Sequence, residues 1–366
     1  MVRSFYIDWP LFISFALLVI IGLVAVYSAT YTATSDPFYY LKRHIFALII
    51  ATVGLIVAFS IPIDFWKKNA YFIFIISVIL LLVVLILPSD GTGTKRWINL
   101  GLFKFQPSEF VKFATVLFIA KYLSRKEDRL ESFEPVVVIY TIVGLVGLLV
   151  AVEPHKGAAL FLFILTGLLL FSSPLKVRYV LTPVFFILPF FMVFFILKSN
   201  YAFSRLKGWL NPDPSSKEGY QPYQAMLSFA KGGPFGEGIG MGTQKLNYLP
   251  EIHTDYIFSL IGEETGLIGS SLVMFLFFVI LYRGVKISLE KEDLFTQVLG
   301  LGVIYIITLN SVFHMFVNLN IFPSTGFTLP FISYGGSSLI MSFIYIGILL
   351  RISKEPVKVN FVKRAK

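Results

Sequence analysis

The chain contains no cysteine, which excludes disulfides, thiolate metal sites and cysteine nucleophiles. Charge is almost as scarce. Asp, Glu, Lys and Arg make up 14% of the 366 residues, against about 25% in an average soluble domain. So few charges cannot cover a soluble body of this length, and disorder is excluded by the same shortage. The Asp-x-Asp clamp of nucleotide-sugar transferases is missing, and His44, His155, His253 and His314 lack ligand spacing, so no structural metal is expected. What abounds is apolar: 56% hydrophobic residues, with 39 Phe and 18 Tyr. That make-up describes an all-α, polytopic integral membrane protein.

A bilayer core takes about 20 apolar residues of helix. Runs that qualify lie at about 10–28, 44–62, 70–87, 135–152, 157–173, 177–197, 256–282, 296–317 and 328–350. A shorter run, 107–122, carries Glu109 and Lys112. Leaving it out would reverse every orientation downstream, so ten spans are expected. The run near Met1 has no small-residue cleavage site and reads as a retained first span.

The net charge of +10 would suggest nucleic acid for a soluble chain. Here the basic residues fall between apolar runs, where they set orientation or meet anionic headgroups, so membrane lipids are expected as partners and nucleic acid is not. Lys67, Lys68, Lys121, Arg125, Lys126, Arg129, Lys176, Arg178, Arg283, Lys286, Lys291 and the tail 351–366 share one side. By the positive-inside rule that side is cytoplasmic and holds both termini. Residues 1–366 form one membrane domain, with a long extracytoplasmic loop, 198–255, between spans 7 and 8.

Long loops are usually functional. This one has turn formers at 211–216, a short amphipathic helix expected over Tyr220 to Lys231, and a glycine run from Gly232 to Gly242. The run follows no strand and precedes no P-loop lysine, so it is no nucleotide loop. Its glycines are expected to let the loop pack against the membrane surface. Asp255 closes the loop. One reading makes Thr254 an N-cap with an acid in the first helical turn. The other makes Asp255 a partly desolvated general base at the outer boundary. Ser259 and Glu263 follow on roughly the same helical face, with Glu264 pointing away. At 1.5 Å per residue Glu263 would lie about 12 Å deeper, near mid-membrane, in a cavity also walled by the i,i+3 pair Glu109 and Lys112. Among the outer basic residues Lys95, Arg96, Arg205, Lys207, Lys231 and Lys245, the guanidiniums Arg96 and Arg205 suit a diphosphate best.

Three motifs carry a resemblance. Arg96-Trp97-Ile98 with Phe105-Gln106-Pro107-Ser108-Glu109-Phe110-Val111-Lys112 is the first. Leu249-Pro250-Glu251-Ile252-His253-Thr254-Asp255-Tyr256-Ile257-Phe258 with Gly262-Glu263-Glu264 is the second. Leu329-Pro330-Phe331-Ile332-Ser333-Tyr334-Gly335-Gly336-Ser337-Ser338 is the third. In this order they resemble the SEDS family of shape, elongation, division and sporulation proteins across essentially the whole chain. Gln244 to Glu251 and Pro323 to Pro330 lean towards its division branch rather than its elongation branch. One departure stands out: many members carry an aspartate where this chain has His155, within Glu153-Pro154-His155-Lys156-Gly157.

The resemblance implies a peptidoglycan glycosyltransferase that polymerises lipid II at the outer face of the bacterial cytoplasmic membrane. It makes Asp255 the catalytic residue, and Glu109, Lys112 and Glu263 the polar cavity. Trp97, Arg96, Arg205, Lys245, His253, Thr254, Ser333, Gly335 and Gly336 become substrate-binding residues. It implies lipid II, undecaprenyl diphosphate, a class B penicillin-binding protein and other divisome proteins as partners. No cofactor is required by it, with Mg²⁺ or Mn²⁺ the ions that would neutralise a departing diphosphate. The competing readings are a lipid II flippase and an elongation-type polymerase.

Overall fold

The computed structural model of the chain describes residues 7–32, 36–87, 96–99, 104–153, 156–183 and 200–356. Its helices are α1 (Trp9–Thr30), α2 (Tyr39–Ser60), α3 (Ile63–Ile86), α4 (Pro107–Arg125), α5 (Glu134–Val152), α6 (Lys156–Phe171), α7 (Asn200–Leu210), α8 (Tyr220–Gly232), α9 (Ile257–Leu289), α10 (Leu294–Asn318) and α11 (Gly336–Ser353). A two-residue ladder pairs β1 (Ile98–Asn99) antiparallel to β2 (Lys104–Phe105), a feature the sequence reading did not anticipate. Among the described residues seven helices are long and apolar enough to cross a membrane: α1, α2, α3, α5, α9, α10 and α11. The chain is a helical, multi-pass membrane protein. The run at 177–197 starts as helix at 177, and its part beyond 183 lies outside the described residues.

The helices divide by burial. α4, α10 and α11 form the interior, where Val111, Leu117, Val303, Ile306, Ile346 and Leu349 are wholly enclosed. α2 and α3 turn rows such as Ile49, Val53 and Ile56, or Phe72, Ile75 and Ile79, outwards. Such rows mark a surface covered by something apolar, which for membrane-crossing helices is lipid.

α1 and α9 run antiparallel and are pinned at both ends. At one end the Asp8 carboxylate caps α1 through Leu11 N (3.1 Å) and pairs with the Arg283 guanidinium. At the other, Ser28 Oγ and Glu264 Oε1 hydrogen-bond. Twenty residues of helix separate Asp8 from Ser28, about 30 Å at 1.5 Å each, which is one hydrocarbon thickness. The two pins therefore stand one hydrocarbon thickness apart.

α9 is not continuous. Gly266 has φ 64° and ψ −160°, so the helix breaks there into 257–265 and 267–289. A break leaves backbone groups unsatisfied, and the glycine run fills it. Glu237 N and Gly238 N donate to the Glu263 and Glu264 carbonyls (2.9 and 3.0 Å), while Leu267 N and Ile268 N donate to the Gly233 and Pro234 carbonyls (2.9 and 3.2 Å). A Cβ on Gly266 would lie 2.4 Å from Gly236 N. The glycines thus thread the loop through a gap in a helix. At Gly232, Gly236 and Gly266 main chain meets main chain, and a Cβ on any of them would lie within 2.4 Å of a backbone atom. The last expected span shifts too: 328–335 is not helical, and α11 starts at Gly336 after the left-handed Phe331 (φ 68°).

Candidate functional site

The site collects where the loop re-enters the bundle. Residues 251–256 form a tight turn in which the Glu251 carbonyl accepts from Thr254, Asp255 and Tyr256 N–H (3.1, 3.0 and 3.3 Å), with Glu251 itself at φ 56°. α9 then begins at Ile257 without a side-chain cap of its own. The Thr254 hydroxyl turns back to Glu251, so the N-cap expected of Thr254 is not made. Asn318, at the end of α10, does that work from the neighbouring helix. Its Oδ1 accepts from Ser259 N and Oγ (2.9 and 2.8 Å), and its Nδ2 donates to the Asp255 carbonyl (2.9 Å). One turn earlier, His314 Nδ1 donates to the Phe327 carbonyl (2.7 Å). Two α10 side chains therefore hold two walls: the Asp255 turn, and the extended segment 324–327.

Asp255 is half-buried between those walls. Position 326 is glycine, and a Cβ there would sit 3.5 Å from Asp255 Oδ2. Burial, helped by the Glu251 charge, pushes the Asp255 carboxyl up to about 6, against the pull of Arg205 and Arg96. The Arg205 guanidinium donates to the Ser324 carbonyl (2.7 Å), and Arg96 Nε donates to the Glu153 carbonyl (3.1 Å). Glu153 is fully buried, and neither carboxylate oxygen has a hydrogen-bond partner among the described residues. Burial raises its pKa to about 8, opposed by Arg96. The charge of Arg96 is thus felt by both carboxyls, and that of Arg205 by Asp255. Such pairs of carboxyls with separated pKa values are a mark of acid–base sites. Trp97 is half-buried next to Arg96, ahead of β1.

The remaining expected residues divide. His253 packs its ring between Tyr40 and Tyr334 (centroids 5.1 and 5.6 Å), and burial lowers its pKa. Ser333 is a clamp: its hydroxyl donates to the Thr254 carbonyl (2.7 Å) and accepts from Leu329 N (2.8 Å). Gly335 and Gly336 open α11, where a Cβ on Gly335 would meet only the Thr328 methyl at 3.5 Å. Lys245 is turned inwards, buried against Glu264 (2.6 Å) and Ser28 (2.9 Å) and over the Tyr31 ring, so its expected place on a diphosphate is corrected. Glu264, expected to point away, is its buried counter-ion. Glu109 and Lys112 pair at 2.7 Å, as their spacing suggested, and Lys112 lies over Phe161 and Phe327. Glu263 does not join them. Its carboxylate accepts from Thr243 N (2.9 Å) and Gln244 N (3.2 Å) of the loop. The loop residues 243–244 therefore hold it, one residue before the Ser28–Glu264 pin. Lys95 and His155 lie outside the described residues.

Sequence reasoning missed Asn318, His314, Glu251 and Gly326. The available signal was the polar pair His314 and Asn318, spaced i,i+4 in an otherwise apolar helix, since polar groups inside a span rarely lack a function.

The profile of the cell cycle proteins FtsW, RodA and SpoVE matches residues 8–358. The chain belongs to this family. Among its members, the probable peptidoglycan glycosyltransferase FtsW of Trichlorobacter lovleyi is 39% identical over 91% of this chain and 89% of its own length. The protein of the same name from Hydrogenovibrio crunogenus is 37% identical over 95% and 92%. A solved chain of a peptidoglycan synthase complex superposes with a TM-score of 0.76 at 26% identity, covering 94% of this chain and 97% of that one. The rod shape determining protein RodA of Thermus thermophilus gives 0.68 at 25% identity, covering 94% and 96%. The three motifs of this FtsW/RodA/SpoVE chain thus meet in space: the first supplies Arg96, the second Asp255, and the third ties down the Asp255 turn through Ser333.

Proposed function

We propose that this chain is a peptidoglycan glycosyltransferase of the division branch, polymerising lipid II. The carrying observation is Asp255, a carboxyl raised towards neutrality in a space that also receives the charges of Arg96 and Arg205. Asp255 takes the proton of an acceptor sugar's 4-hydroxyl as that oxygen attacks the anomeric carbon of a sugar linked to undecaprenyl diphosphate. The configuration inverts, and the diphosphate leaves with its charge met by the guanidiniums. Trp97 stacks on a sugar ring. Among the described residues no three His, Asp or Glu side chains gather as metal ligands. The guanidiniums whose charges reach Asp255 suit an anion better than Mg²⁺ or Mn²⁺.

The chain crosses the membrane ten times, with α4, α6 and the helix from 177 added to the seven long apolar helices. Both termini are cytoplasmic, the loop 198–255 is extracytoplasmic, and 1–366 is one domain. The likeness to a chain of a peptidoglycan synthase complex supports a class B penicillin-binding protein as partner. The flippase reading loses its main support, because Glu109 and Lys112 close on each other and Glu263 is held by the loop. Purified protein given labelled lipid II, with and without the transpeptidase, tests the assignment. Asp255→Asn should still bind lipid II and make no polymer. Glycan ladders of normal length from that variant would sink it.

A further inference from the structure

The glycine run carries three of the most exposed apolar side chains in the chain: Phe235 at 79%, Ile239 at 66% and Met241 at 70%. Their surroundings say what covers them. Leu267 and Ile268, whose N–H groups bond the Gly233 and Pro234 carbonyls, are themselves 67% and 61% exposed and head the outward row of α9 that continues through Leu272, Phe275 and Phe278. That row belongs to a membrane-crossing helix. The bonds to residues 263–268 straddle the Ser28–Glu264 pin, at the loop-side edge of the hydrocarbon. Backbone entering hydrocarbon must have its polar groups satisfied by protein, and four of those in this segment are satisfied by α9. Only one charge falls between Lys231 and Lys245, namely Glu237. It is exposed, and its own N–H is tied to the Glu263 carbonyl at the membrane edge, within reach of headgroups.

We propose that residues 233–242 form a re-entrant wedge, with Phe235, Ile239 and Met241 among the phospholipid acyl chains at the loop-side edge of the bilayer. The apolar row of α9 continues directly onto these side chains, which makes lipid the occupant. Glu237 stays in the headgroup layer and stops the wedge from sinking further. The loop on which the proposed polymerase depends is then partly a membrane element, anchored eight to thirteen residues beyond Asp255 on the helix that the Asp255 turn leads into.

The natural absence of cysteine makes the test direct. Single-cysteine variants Phe235→Cys and Met241→Cys, labelled with NBD in phospholipid nanodiscs, are compared with Ser215→Cys in the exposed turn and Phe278→Cys on α9. Phosphatidylcholine carrying doxyl at carbon 5 should quench positions 235, 241 and 278 at least twofold more than 215, and aqueous iodide should show the reverse order. Iodide quenching at 235 and 241 equal to that at 215 overturns the wedge, as does protection of both positions from both quenchers, which would mean a protein cover. Position 278 separates this failure from failure of the spanning reading: quenched by doxyl while 235 is not, it leaves α9 in the membrane and removes only the wedge.

Discussion

Gly266→Ala isolates the helix break. The residue's φ of 64° with ψ near −160° lies in a region open almost only to glycine, and holding alanine there costs about 1–3 kcal/mol. The new Cβ would also stand 2.4 Å from Gly236 N and 2.7 Å from Phe235 N. These are backbone atoms and cannot swing aside, so the loop must back out. Four hydrogen bonds stitch loop to helix, each worth about 1 kcal/mol net. Losing two of them with the backbone cost gives about 3–5 kcal/mol. The control is Gly147→Ala in α5, where a Cβ meets nothing within 4 Å and helix propensity favours alanine by up to about 1 kcal/mol. Thermal melts in detergent, followed by tryptophan fluorescence, read both variants. Gly266→Ala should melt far below the parent and lose polymerisation, while Gly147→Ala should melt at or above it. A Gly266→Ala protein melting within a degree of Gly147→Ala would refute the threaded-loop account.

Acid–base behaviour follows from the two raised carboxyls. Asp255 must be ionised to act as base, so polymerisation should rise with pH through about 6, and Glu251→Gln, which removes a like charge, should move that limb to lower pH. A limb that stays put in rate–pH profiles would remove Glu251 from the argument. Glu153 is neutral below about 8. Above that its charge competes for Arg96, so the parent should lose rate at alkaline pH and Glu153→Gln should not. Lys245→Met strands Glu264 in a buried place, for which the expected cost is about 3–5 kcal/mol. Lys245→Met combined with Glu264→Gln should recover most of the melting temperature, and an additive double variant would contradict the pairing.

Local chemistry was readable where it depended on composition and spacing. The helix at Tyr220–Gly232, the Glu109–Lys112 pair and the placement of Asp255 at the mouth of a span all follow from periodicity and turn signals. The errors share a cause. The apolar run 256–282 read as one unbroken helix, but Gly266 breaks it and meets a loop some thirty residues upstream. Nothing in the apolar run around Gly266 announces such a partner. Lys245 looked like a surface cation because its counter-ion and Ser28 come from other parts of the chain. The i,i+4 pair His314 and Asn318 was visible as polar, but the partner each one holds comes from another part of the chain.

His314 and Asn318 fasten the two sides of the site to a single rod, four residues apart. That spacing acts as a gauge. About 6 Å of helical rise fixes how far the Asp255 turn stands from the 324–327 segment, and neither side can drift without the other. Widening the gap between them therefore requires either α10 itself to move or one of these two hydrogen bonds to break.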